Sequence, residues 1–88
     1  MIRKKITIKN KLGLHARPCS LFVKTAGNFR SEIKIEKDDM LVNGKSIMGM
    51  MMLAAECGSE LEIIVEGVDA EEALKTLEDL INRGFDEE

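Results

Sequence analysis

One short segment combines residue types that could carry out group transfer. It reads Gly13-Leu14-His15-Ala16-Arg17-Pro18 and places an imidazole two residues before a guanidinium. Proline is tolerated in the first turn of a helix, because its missing N–H would have no partner there. Pro18 therefore predicts that a helix begins at about residue 15 or 16. His15 then lies at or beside the N-cap, where the backbone amides of Ala16 and Arg17 lack intrahelical partners.

Such a helix start favours chemistry on an anionic group. A neutral imidazole is a nucleophile, and an N-phosphoryl product would carry a charge of about −2, by analogy with other phosphorylated side chains. The free amides, the helix dipole and Arg17 would stabilise that charge. No second histidine and no nearby carboxylate in the sequence is available to activate water, so the segment favours holding a phosphoryl group over hydrolysing it. A purely structural histidine at a helix cap fits the same residues.

A second candidate site is Ser46, which precedes the apolar run from Ile47 to Leu53. Serine is a favoured N-cap, worth about 1 kcal/mol over alanine, so a short helix is expected to begin after it. A phosphate on its hydroxyl would be stabilised by the amides that follow and would add negative charge to the surface. A cap with no regulatory role explains the same residue.

The short helix after the serine is rich in methionine, and its side chains divide between two faces. Met50 and Leu53 are expected to face the core. The other side is expected to form an exposed apolar patch beside the histidine, made of Ile47, Met48 and Met51. Flexible methionines suit both core filling and a surface that must fit several partners. Lys24 and Lys45 either add positive charge around this patch or are ordinary solvated lysines.

The elements that position these residues follow from the periodicity of the apolar positions. Alternation predicts strands over residues 2–8, 32–36, 40–42 and 61–65, and helical spacing predicts helices after each of the first, third and fourth strands. The polar outer positions of the strands predict a sheet covered by helices on one face only. Asp69 and Glu72 have the spacing of a capping box at the last helix. The acidic end, Asp86-Glu87-Glu88, is expected to be frayed.

Composition narrows the class of protein. The chain has 88 residues, and 13 Lys and Arg against 16 Asp and Glu give a net charge of −3, which argues against nucleic-acid binding. One domain over residues 1–88 is expected from this length. No apolar run approaches the roughly 20 residues of a membrane span, and the start does not resemble a signal peptide. We therefore expect a cytoplasmic protein without membrane insertion.

The two cysteines, Cys19 and Cys57, are far apart, and the chain has one histidine. Structural zinc needs four good ligands, so the sequence predicts no metal site. We expect both cysteines to be buried, reduced thiols.

The segment from Gly13 to Pro18 closely resembles the active-site motif of HPr, the histidine-containing phosphocarrier of the bacterial phosphotransferase system. The segment Val42-Asn43-Gly44-Lys45-Ser46-Ile47-Met48-Gly49 is similar to the regulatory-serine segment of the same family, and the stretches from Gly58 to Leu61 and from Gly67 to Leu74 match its last strand and helix. The resemblance implies an α+β, open-faced β-sandwich of order βαββαβα. Its four-stranded antiparallel sheet would carry three helices on one face.

The function that the resemblance implies is a relay. Enzyme I would pass a phosphoryl group from phosphoenolpyruvate to Nδ1 of His15, which would hand it to a histidine of an EIIA domain ahead of sugar uptake. Arg17 and the backbone N–H of Ala16 would stabilise the phosphoryl group, with no metal or organic cofactor. The protein would be a monomeric carrier rather than a stand-alone enzyme.

The resemblance also implies partners for the serine. Ser46 would be the target of an HPr kinase/phosphorylase that uses nucleotide and Mg²⁺, and a catabolite-control transcription factor would be a further partner. Two alternatives stay open: a carrier of the nitrogen-related branch, and a regulatory module that acts only through phosphorylated Ser46. The presence of His15 argues against the catabolite-repression homologues that lack this histidine.

Overall fold

The structure is a computed structural model that describes residues 1–87. Its strands are β1 (Ile2–Thr7), β2 (Glu32–Lys37), β3 (Met40–Asn43) and β4 (Glu60–Glu66). Its helices are α1 (Ala16–Ala26), α2 (Ile47–Met52) and α3 (Ala70–Asn82), and a short 3₁₀ turn, Gly84–Asp86, follows α3. This order confirms the βαββαβα succession that periodicity predicts.

The sheet is antiparallel, with strand order β1-β4-β2-β3. Ile33 of β2 lies opposite Val65 of β4, and Ile35 lies opposite Ile63. These four side chains are buried, whereas the intervening Lys34 is exposed. Successive residues of a strand point to opposite faces, so one face of the sheet forms the core and the other meets solvent. The prediction of helices on a single face is confirmed.

Helix α1 contacts both α2 and α3, and α3 packs against β1 and β4. The buried face of α1 carries Cys19, Phe22 and Ala26, at the helical spacing expected from the sequence. Because this face is packed against the core along its length, the core packing fixes the position of the first turn of α1.

Gly13 sets the path of the chain into α1. Its φ of +68° is a left-handed conformation that glycine adopts without strain, and a Cβ there would overlap the carbonyl oxygen of Ala55. The next amide, of Leu14, donates to that same oxygen at 2.8 Å. The loop before α1 is therefore held against the loop that follows α2, two residues before His15.

The expected capping box at α3 is wrong. Asp69 is the N-cap residue, but its side chain makes no cap hydrogen bond. Its carboxylate accepts instead from the backbone N–H groups of Arg30 and Ser31, at 2.9 Å each, and from the Ser31 hydroxyl. These three donors outcompete the local amides, so the residue joins α3 to the loop before β2.

The two thiols differ. Cys19 is buried, as predicted, and its thiol donates to the carbonyl of Leu14 at 3.4 Å. Cys57 is exposed, which corrects the expectation that both are buried. It lies in the turn between Ala55 and β4, outside the packed core.

Candidate functional site

Helix α1 begins where the proline predicted. Ala16 is its first residue, and His15 is the N-cap with an extended backbone (φ −85°, ψ −173°). The first hydrogen bond of the helix runs from the Cys19 amide to the His15 carbonyl at 3.1 Å. Among residues 1–87, no side chain caps this end, and the first turn contains no acidic residue. Within residues 1–87, the amides of Ala16 and Arg17 thus remain available to an anion.

The imidazole of His15 is held on one side and open on the other. Its side chain is 37% exposed, and its Nε2 lies 2.8 Å from Oε2 of Glu87. The second oxygen of that carboxylate, Oε1, accepts from Nδ2 of Asn10 at 2.9 Å. Among the described residues, the ring makes its side-chain hydrogen bond through Nε2, and Nδ1 has no hydrogen-bond partner.

The contact of Glu87 corrects the expectation that the acidic end is frayed. Three successive residues after α3 are left-handed: Gly84 (φ 65°), Phe85 (φ 57°) and Asp86 (φ 60°). Phe85 is 3% exposed, so its ring is anchored in the core while the backbone turns around it. This turn directs Glu87 back toward the start of α1. Asp86 is exposed, and Glu88 lies outside the described residues.

Arg17 is exposed in the first turn of α1 and forms no ion pair within residues 1–87. The structure therefore brings together three of the residues singled out from the sequence: an imidazole, a guanidinium and the free amides of Ala16 and Arg17. Chemically, this end can bind a dianionic group beside a half-exposed nucleophile.

Ser46 is the N-cap of α2, as predicted. Its Oγ accepts from the Gly49 amide at 3.1 Å, and the residue is partly exposed. The same hydroxyl could be reached by another protein without opening the core.

Helix α2 divides as the sequence predicted, with Met50 and Leu53 buried and the other face exposed. The exposed fractions are 40% for Ile47, 74% for Met48 and 46% for Met51. Met52, in the same helix, and Leu12, in the loop before α1, are also exposed.

The two lysines predicted around this patch have different surroundings. The ammonium of Lys45 is partly buried and donates to the Phe29 carbonyl at 2.7 Å. Lys24 is exposed in the last turn of α1, at the opposite end of that helix from His15.

Sequence reasoning missed Asn10 and Glu87. They are separated by 77 residues, and Glu87 by 72 from His15, so no local spacing could have joined them. The sequence does show an acidic end, but a run of carboxylates is ordinarily solvent-exposed, so it gave no reason to place Glu87 beside His15.

Within residues 1–87, no group of three or more His, Cys, Asp or Glu side chains is arranged to hold a metal ion. Over the same range, none of the helices has both the length and the apolar character to cross a bilayer.

A family model described as the PTS HPr component phosphorylation site matches residues 2–83. The chain belongs to the HPr family. Phosphocarrier protein HPr of Neisseria meningitidis is 52% identical over 87 residues, covering 99% of this chain and 98% of that protein. An HPr crystal structure from Thermoanaerobacter tengcongensis superposes with a TM-score of 0.96 at 53% identity, covering 100% of this chain and 99% of the other.

The HPr family also contains a related group that matches this chain. The HPr-like protein Crh of Halalkalibacterium halodurans is 52% identical over 77 residues, covering 88% of this chain and 92% of that protein. A second T. tengcongensis structure, described as an HPr dimer, has a TM-score of 0.80 at 53% identity and covers 99% of this chain and 100% of the other. The likeness therefore extends to HPr and Crh proteins and to a dimeric form.

Proposed function

We propose that this HPr-family protein is a phosphocarrier that accepts a phosphoryl group from phosphorylated Enzyme I on His15 and passes it to EIIA domains in sugar uptake. The observation that carries the proposal is the half-exposed imidazole at the uncapped N-terminus of α1, with Arg17 in the same turn. Family membership supports the proposal, since the relatives are phosphocarriers by name.

The transfer step uses few groups. The lone pair of Nδ1 attacks phosphorus, the bond between phosphorus and the carrier atom of Enzyme I breaks, and its electron pair stays with Enzyme I. The phosphoryl group then lies beside the first amides of α1, those of Ala16 and Arg17, and beside the Arg17 guanidinium. Opposite charges and free N–H donors stabilise the added negative charge. The reverse sequence delivers the group to an EIIA histidine.

The patch made of Ile47, Met48 and Met51 is the proposed partner-binding surface, and Lys24 and Lys45 are proposed as further partner contacts. Its exposure supports a role in binding, since exposed methionines fit partners of different shape. We propose that residues 1–88 act as one domain, monomeric in solution and cytoplasmic, that binds neither nucleic acid nor membrane.

Ser46 is the proposed regulatory site, modified by an HPr kinase/phosphorylase. Its partly exposed hydroxyl accepts one hydrogen bond from the Gly49 amide, and a phosphate there would add about two negative charges beside the patch. Such charge weakens an encounter with an acidic partner surface and strengthens one with a basic surface.

A second function is a regulatory module in which phosphorylated Ser46 docks to a catabolite-control transcription factor. The similarity of this chain to the HPr-like protein Crh supports this second function. A nitrogen-branch carrier would use the same chemistry on His15 with other partners.

The deciding experiment is incubation with Enzyme I and phosphoenolpyruvate, followed by mapping of the phosphate. His15 is the only histidine in the chain, so an acid-labile phosphate on it needs no further assignment. We expect labelling of the wild-type protein, transfer to an EIIA domain, and no labelling of His15→Ala. An ATP-dependent, acid-stable phosphate on Ser46 without any transfer from a competent Enzyme I would instead support the regulatory module.

A further inference from the structure

We propose that Glu87 is a positioning residue for phosphoryl transfer, held in place by Asn10, and that it fixes the proton of His15 on Nε2 while stabilising the positive charge that develops on the ring. This inference rests on the proposed function of His15. It extends that function to a carboxylate that the sequence assigned to a frayed end.

The first step concerns the tautomer. An ionised carboxylate can only accept hydrogen bonds, so the 2.8 Å contact requires Nε2 of His15 to carry the proton. In a neutral imidazole, the other nitrogen then bears the lone pair. The hydrogen bond to Glu87 thereby makes Nδ1 the nucleophilic nitrogen. Carboxylates fix the tautomer and orientation of histidine rings in the same way in metal sites and hydrolase triads.

The second step concerns what holds the carboxylate. Nδ2 of Asn10 donates to Oε1 of Glu87 at 2.9 Å and to the Gly13 carbonyl at 2.7 Å. A flipped amide would place the Asn10 oxygen against two acceptors, so this orientation is the only favourable one. Asn10 is 5% exposed. A buried, oriented amide therefore links the carboxylate to the loop that leads into α1.

The third step concerns the turn that delivers Glu87. Phe85 and Asp86 are non-glycine residues in left-handed conformations, which are sterically unfavourable. Such conformations persist only where surrounding contacts over-determine them. Here the buried ring of Phe85 and the contacts of Glu87 with Asn10 and His15 supply those constraints. The segment from Gly84 to Glu87 therefore packs against the site around His15.

The fourth step concerns charge during transfer. When the lone pair of Nδ1 forms the N–P bond and the donor bond to phosphorus breaks, no proton moves, and the ring acquires a positive charge. The Nε2–H proton then lies between this cationic ring and the Glu87 carboxylate. Hydrogen bonds to ionised groups are stronger than neutral ones, so the contact strengthens as the transition state forms.

The test compares Glu87→Ala and Glu87→Gln with Asp86→Asn. Asp86 is the matched control, because it is the adjacent acid, it is exposed, and its carboxylate accepts from Arg83 Nε rather than from His15. Glutamine keeps an acceptor for Nε2–H but removes the charge. We expect Glu87→Ala to lower kcat for transfer from Enzyme I roughly tenfold, the scale of losing an orienting partner. The value of KM should change little, Glu87→Gln should be intermediate, and Asp86→Asn should be unchanged.

A second readout does not depend on Enzyme I. In ¹⁵N NMR spectra of the isolated protein, we expect the neutral His15 ring to carry its proton on Nε2, with a slowly exchanging Nε2–H signal. That signal should be lost by exchange in Glu87→Ala and retained in Asp86→Asn.

Two results would overturn the positioning role. One is a kcat for Glu87→Ala equal to that of the wild type. The other is an equal loss in Glu87→Ala and Asp86→Asn, which would indicate a general charge effect. Failure of Enzyme I to label the wild-type protein would count against the proposed function alone, since the NMR signature would still report whether Glu87 orients the ring.

Discussion

The carboxylate of Asp69 accepts hydrogen bonds from both the amide and the hydroxyl of Ser31, so the start of α3 is joined to the loop before β2. A third hydrogen bond, from the Arg30 amide, completes the set. Gly67, two residues earlier, lies so close to Ser31 that a Cβ would overlap it. The contact holds α3 in register with the sheet, and α3 ends beside the turn that carries Glu87.

The first prediction concerns stability in acid. Hydrogen bonds from Ser31 and Arg30 lower the pKa of Asp69 below its usual value. A lowered folded-state pKa contributes stability above the unfolded value of about 3.9, and this contribution is lost as pH falls through the folded pKa. Asp69→Asn should therefore be less stable than wild type at pH 7, with the difference shrinking in acid.

Urea unfolding at pH 7 and at low pH measures this difference. Glu72→Gln, on the exposed side of the same helix, is the control and should leave the pH dependence unchanged. A difference between wild type and Asp69→Asn that stays constant with pH would contradict the assignment.

The second prediction concerns Arg17. Because its side chain is exposed, Arg17→Ala should unfold at the same temperature as wild type. Transfer from Enzyme I should nevertheless slow by about tenfold or more, since one charged donor to the phosphoryl group is lost. Arg17→Lys should recover part of the rate, because it restores the charge without the planar pair of donors. Equal rates for all three proteins would remove Arg17 from the mechanism.

The third prediction concerns Ser46. Ser46→Asp should raise KM for Enzyme I through added negative charge, and the defect should diminish as salt is added. Ser46→Asn is the matched control, because it is a good N-cap of similar size without charge. A defect shared by both variants, or one insensitive to salt, would indicate packing rather than charge.

The fourth prediction separates partner binding from packing in α2. Met48 is 74% exposed and Met50 is 1% exposed. Met48→Ala should weaken binding to Enzyme I with little change in the free energy of unfolding. Met50→Ala should cost about 2–5 kcal/mol of stability, the usual range for truncating a buried methionine. Titration calorimetry and urea unfolding distinguish the two, and unchanged affinity in Met48→Ala would exclude that residue from the interface.

The fifth prediction concerns the thiols. Burial raises the pKa of Cys19 to about 11, whereas Cys57 is exposed. The thiolate is the reactive form, so a thiol reagent at pH 8 should label one cysteine in the native protein and both after unfolding in guanidinium. Cys57→Ser should show no rapid native labelling. Rapid labelling of that variant would show that α1 opens near its first turn.

Patterns among residues close in sequence were sufficient to predict the helices and strands, and the part of the site that lies at the start of α1. Pro18 located the start of α1, because its restrictions act within one helical turn. Ser46 located the start of α2, because a cap bonds to an amide three residues away. Alternation placed Ile33 and Ile35 in the core for the same local reason. In each case the interaction that matters spans four residues or fewer.

The sequence did not predict which of several possible surroundings a side chain has in the folded protein. Asp69 could have accepted from the backbone amides at the start of α3. Its carboxylate accepts instead from the amides of Arg30 and Ser31 and from the Ser31 hydroxyl. Cysteine side chains are usually buried, yet the turn that contains Cys57 lies outside the packed core. Both outcomes depend on which surfaces the folded chain brings together.

The sequence by itself determined the order of the strands and helices and the placement of His15, Ala16 and Arg17 at an open helix end. Only the tertiary structure decided that Asn10 and Glu87 close one side of the imidazole. A helix start is specified by residues a few positions apart. The contact between His15 and Glu87 spans 72 residues and depends on how α1, α3 and the left-handed turn at Phe85 pack together.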